Sequence, residues 1–95
     1  MLLRAKRDQS EKAIVDYFRK TGWSVLRISE PGAPDLCIGR MTKAGGICLL
    51  VEVKTGSAKL RALQKKFASE WLGHPPYVIR TVEEGEALTK AAAKL

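Results

Sequence analysis

The sequence predicts an α/β fold, a mixed four-stranded sheet flanked by helices within a single domain over residues 1–95, and three observations lead there. The elements read in the order α, β, β, β, α, β, α. An apolar run, Ile47-Cys48-Leu49-Leu50-Val51, follows Gly45-Gly46, which marks it as the second arm of a hairpin. The same run then leads through a helical segment to another short strand, which makes a β-α-β unit.

The first helix covers 10–20, with Ile14, Tyr17 and Phe18 at helical spacing, Ser10 as N-cap and Thr21-Gly22 as the stop. Residues before Ser10 are able to extend it. Residues 23–28 read as a strand, and the turn-rich stretch Ser29-Glu30-Pro31-Gly32-Ala33-Pro34 delivers Asp35. Leu36-Cys37-Ile38 is a second short strand, 40–46 a turn and 47–54 the third strand. A turn centred near Lys43 sets Asp35 opposite Glu52, where paired Cβ atoms lie about 5 Å apart.

After Thr55-Gly56-Ser57 comes a second helix in which Leu60, Leu63, Phe67 and Trp71 form an apolar stripe, ended by Gly73-His74-Pro75-Pro76. Residues 77–80 are the fourth strand. Thr81 with Glu84 is a capping-box signature for a last, alanine-rich helix over 83–94. The crossover from third to fourth strand is expected to be parallel and right-handed behind an antiparallel meander, with helices on both faces of the sheet.

Seventeen Lys and Arg against ten Asp and Glu leave a formal charge of +7 on 95 residues. That is the footprint of a phosphate binder, although the cations, among them Lys6, Arg7, Arg19, Lys20, Arg40, Lys43, Lys59, Arg61, Lys65 and Lys66, also suit an ordinary solvated face. The two cysteines, Cys37 and Cys48, have no metal-ligand spacing and read as small buried apolar residues. The start Met1-Leu2-Leu3-Arg4 lacks the apolar region of a signal peptide, so a cytoplasmic, reduced setting is expected.

Residues i and i+2 of a strand share a face, so Glu52 and Lys54 project together while Val51 and Val53 pack on the other side. Alone, such a pair describes a solvated strand edge and Pro34-Asp35 a turn. At the end of the most apolar run in the chain, unpaired charge needs a reason. Asp35 and Glu52 facing each other would repel, and a hard divalent cation resolves that conflict; Mg²⁺ takes one or two carboxylates, waters and phosphate oxygens. The carbonyl of Val53 is a further candidate ligand. Lys54 is placed to help deprotonate a water on the metal and to offset charge in the transition state of phosphodiester hydrolysis.

Two more residues have double readings. Gln64 lies in the apolar stripe of the second helix, able to reach the pocket or to bond backbone. Glu11 either complements the dipole of the first helix or reaches the metal through water. His74 is read as structural or exposed, and Tyr77 and Trp71 as core rather than base-stacking residues.

Gly32-Ala33-Pro34-Asp35-Leu36, then Glu52-Val53-Lys54, then Gln64, resembles the PD-(D/E)xK nuclease superfamily, and within it the chain is similar to a VRR-NUC (virus-type replication-repair nuclease) domain. The resemblance runs from the Glu11 helix to the strand at 77–80. It implies the restriction-endonuclease-like αβββαβ core, with Asp35 and Glu52 as metal ligands and Lys54 as the catalytic lysine. Gln64 would be a pocket residue, and Glu11 an acidic residue near the metal. The family often has Ser or Thr three before the Gln, where this chain has Arg61, which leaves the cap of the second helix open. Standalone members are similar to Holliday junction resolvases, which implies a homodimer cutting branched DNA with Mg²⁺ or Mn²⁺ and a phage or prophage origin in a bacterial host. A sequence-specific or nicking endonuclease of the same fold, and a non-catalytic basic DNA-binding module, are the competing expectations.

Overall fold

The computed structural model describes residues 9–95. The expectations that concern Lys6, Arg7, the leaderless start and any extension of the first helix lie outside those residues. Helix α1, Gln9–Lys20, carries Glu11, Ile14, Val15 and Phe18 on one buried stripe. Ser10 is inside this helix rather than at its cap, because Gln9 already has helical backbone. The stop falls where expected. Gly22 takes φ 99°, the Gly22 N–H reaches Arg19 O at 3.5 Å and the Trp23 N–H reaches Phe18 O at 3.0 Å. That is a Schellman ending, and its usual hydrophobic contact is present as the edge-on Phe18–Trp23 pair at 6.0 Å.

Strands β1 (Ser24–Arg27), β2 (Leu36–Thr42) and β3 (Gly45–Val53) form an antiparallel meander, and β4 (Tyr77–Ile79) adds parallel to β3, in spatial order β1-β2-β3-β4. This is the mixed four-stranded sheet that the sequence predicts. The hairpin is tighter than expected: Arg40 to Thr42 continue β2, and Thr42 pairs with Gly45 around Lys43-Ala44. Gly45 holds φ 114°, a conformation costly for a side chain, and the Thr42 hydroxyl donates to Gly45 O at 2.8 Å and accepts the Ala44 N–H at 3.1 Å. Local polar chemistry closes this turn and frees the neighbours to pair.

Helix α2 is Ala62–Glu70 and α3 is Val82–Ala92. Thr81 caps α3 by accepting the Glu84 N–H at 3.1 Å, as the sequence predicts, but the Glu84 carboxylate takes the Arg80 N–H at 2.6 Å rather than that of Thr81. Helices α1 and α3 pack against each other on one face of the sheet, and the core lies there: Ile14, Val15 and Phe18 from α1 meet Leu36, Ile38, Val51 and Ile79 from the strands. Each such side chain contributes about 1.5–3 kcal/mol through its burial.

The other face is sparsely covered, and several expectations change there. Helix α2 has no buried residue; Leu63 is 60% and Trp71, just beyond the helix, 46% exposed, so the expected stripe is not a core stripe. Residues 54–61 stay outside the helix and shorten it, which limits what it can cover. Cys48 is exposed and Cys37 half-buried, because both project from this thinly covered face rather than into the core. Among the described residues, no helix is long and apolar enough to cross a membrane.

Candidate metal centre

Because Leu36 pairs with Val51 in the β2–β3 ladder, the next step outward sets Asp35 against Glu52. The loop between β1 and β2 closes tightly enough for this: the Ile28 N–H donates to Asp35 O at 2.8 Å. Gly32, at φ 81°, passes so near α2 that a Cβ there would come 3.1 Å from the Cβ of Leu63. The Asp35 carboxylate accepts the Val53 N–H at its Oδ2, 2.8 Å away, which fixes the acid against the backbone between Glu52 and Lys54.

Glu52 is only 4% exposed. Its Oε2 accepts from Gln64 Nε2 at 2.7 Å, and Gln64 Oε1 accepts the Arg61 N–H at 2.8 Å. Both sequence readings of Gln64 therefore hold, since one amide touches the pocket and the backbone together. Arg61 has no acceptor in its side chain and cannot complete a capping box, so Gln64 alone supplies the side-chain cap of α2. The Glu52 carboxyl is pushed up to about 8, first by burial and then by the charge and hydrogen bond of Asp35, with Lys54 and Arg61 pulling the other way. A cavity of about 20 Å³ lies beside Glu52 and Gln64, beneath Gly32 and Pro34, with room for one water.

The structure thus brings Asp35, Glu52, Val53 and Gln64 together, with the charge of Lys54 acting on Glu52. Glu11 is different. It is buried in the first turn of α1, and its Oε2 accepts from Arg27 Nε at 3.2 Å. No group of three or more His, Cys, Asp or Glu side chains fit to hold a metal forms among the described residues. The carboxylate pair is what the site offers, and its all-oxygen donor set suits a hard cation that keeps most of its waters.

Arg80 is a residue that sequence reasoning missed. Its Nη1 donates to Gly56 O at 2.8 Å and to Ala58 O at 2.7 Å, clamping the loop that leads from Lys54 to α2. The only signal in the sequence was an arginine at the end of β4. His74 is exposed, as expected, and stacks on Tyr77 at 4.6 Å, while the exposed Trp71 stacks on Phe67 at 5.1 Å. No protein-family model matches the chain, no curated protein matches it, and no solved structure matches it.

Proposed function

We propose that this chain is a metal-dependent endodeoxyribonuclease that hydrolyses phosphodiester bonds and prefers branched DNA, in the manner of a Holliday junction resolvase of the VRR-NUC kind. The observation that carries the reading is the carboxyl pair: Glu52, buried and raised to about 8, lies against Asp35 at the end of a strand and is held by Gln64. Holding Glu52 buried against Asp35 works against the fold whenever both acids are ionised, since burial and their mutual charge both penalise that state.

Asp35, Glu52 and the carbonyl of Val53 would hold Mg²⁺ or Mn²⁺. When bound, that ion supplies positive charge to the scissile phosphate and to an attacking water. Gln64 keeps the Glu52 carboxylate in one orientation, and Gly32 lets the β1–β2 loop pass close to α2 beside the small cavity that Glu52 lines. Lys54, two residues on from Glu52, presents an ammonium that can take up developing negative charge. The charges of Lys54 and Arg61 both act on Glu52, and Lys59, Lys65 and Lys66 lie within five residues of Arg61 in the sequence, a local run of cations suited to a phosphate backbone. One small domain carries one such site, and two symmetric nicks in a four-way junction call for a twofold homodimer.

A panel of linear duplex, flap, splayed-arm and four-way junction DNA with Mg²⁺ or Mn²⁺ tests this, with symmetric nicking of the junction expected. Asp35→Asn and Glu52→Gln should abolish cleavage while DNA binding persists. Near-normal turnover by both variants would exclude the site. Binding without cleavage by the unaltered protein under all metals would leave a basic DNA-binding module, and equal cleavage of linear duplex and junction by a monomer would leave a general nuclease.

A further inference from the structure

A second cavity, of about 400 Å³, opens on the same side of the sheet as the carboxylates, lined by Cys37, Cys48, Leu50, Trp71, His74 and Tyr77. Its place follows from strand parity. Leu50 is two residues before Glu52 on β3, and Cys37 is two residues after Asp35 on the paired β2, so each acid has a lining residue as its same-face neighbour about 7 Å along the strand. Residues 71–77 form the outer wall, and Gly73 makes that wall possible, since a Cβ there would sit 2.7 Å from Trp71 Nε1. Trp71 is backed on one side by Phe67 yet remains 46% exposed, and the His74–Tyr77 stack stands nearby with its rings 14° apart. No acidic side chain among the described residues lines the cavity, whose size falls in the range of ligand pockets.

We propose that this cavity takes one unpaired nucleobase of the DNA strand whose phosphate lies at Asp35 and Glu52, with the base stacking on Trp71. The inference rests on the hydrolase reading for its orientation, although base binding itself needs no metal. Three features point to a base rather than to another apolar occupant. The cavity adjoins the candidate phosphate site by one side-chain step, its wall is aromatic, and the chain around it carries a +7 charge that draws a polyanion. Flap and splayed-arm DNA carry unpaired bases, whereas duplex and four-way junction arms are fully paired, so this contact would favour flaps and splayed arms over duplex.

The test uses the full chain in EDTA and a single-stranded oligodeoxynucleotide, on the order of ten thymidines, carrying one 2-aminopurine. Binding should quench its fluorescence. Trp71→Ala should remove the quench and weaken binding about five- to a hundredfold, and Trp71→Phe should keep both. Cys48→Phe fills the cavity from an exposed strand position and should also remove the quench, which decides the matter if Trp71→Ala fails to fold. Quench surviving in Trp71→Ala and in Cys48→Phe overturns the proposal, as does a Trp71→Ala protein that changes only from dimer to monomer. Since the assay contains no metal, quench without any cleavage in Mg²⁺ supports the base site while refuting the hydrolase reading. Cleavage by a protein that gives no quench does the reverse.

Discussion

Gln64 donates to Glu52 across 2.7 Å while its own carbonyl begins helix α2 by accepting the Arg61 N–H, so one amide ties the placement of a helix to the orientation of a buried acid. Gln64→Ala removes both bonds at once. A lost cap and a lost hydrogen bond to a buried group are each worth about 1 kcal/mol, so a drop in stability of about 2 kcal/mol is expected in denaturant titration. Gln64→Glu would keep the cap but bring another carboxyl against Glu52, and should therefore impair activity more than stability. Wild-type turnover by Gln64→Glu would show that the amide does not orient Glu52.

Without metal, the protein should lose stability as pH rises from about 4.5 to about 8. Glu52 has a folded-state pKa raised to about 8 from an ordinary 4.5, so between those values the folded state holds a proton that the unfolded chain has released. Its favourable contribution is complete below the lower value and gone above the upper one. Thermal melts in EDTA should slope downward across this window, and Glu52→Gln should flatten that part of the slope. Adding Mg²⁺ should raise the melting temperature more at pH 8.5 than at pH 5.5, because cation and proton compete for the same carboxyl. A pH-independent Mg²⁺ effect would argue against binding at Glu52.

Lys54→Ala should lose most of the cleavage rate yet bind Mg²⁺ as before, since an ammonium offers charge and no ligand. Lys54→Arg should not restore the rate, because a planar guanidinium of very high pKa poorly replaces a positioned ammonium. Calorimetry separates the two roles: metal affinity falling in step with activity would contradict them.

Arg80→Ala should release the loop at Gly56 and Ala58 without unpacking the core, because both bonds run from the end of β4 to carbonyls outside any element. Amide exchange in residues 55–61 should accelerate, with little change for α1 and β2. If Lys59 and Arg61 contact DNA, KM should rise more than kcat falls. Unchanged exchange in the loop would show that the Arg80 bonds do not restrain it.

Much of the site was legible because its placement is local in the hairpin. Once the turn lies at Lys43-Ala44, the opposition of Asp35 and Glu52 follows by counting, and the structure keeps that count. The helix stop at Gly22 and the cap at Thr81 were legible for the same reason, being set by residues within one turn. What was hidden depends on cover. Leu63 and Trp71 have the spacing of core residues, but spacing cannot say whether anything lies across from them. Cys48 looked buried within its apolar run, yet alternate residues of a strand see different faces and only one face here is packed. Arg80 was hidden because its acceptors are backbone carbonyls 22 and 24 positions away, which carry no side-chain signature.

The one-sided core has a consequence for how such a chain can change. Since β3 turns Val51 toward α1 and α3 and Glu52 away from them, the groups that hold the fold and the groups of the candidate site sit back to back on a single strand. Substitutions on the outer side do not enter the packed layer, so this surface can be remodelled with little disturbance to the inner one.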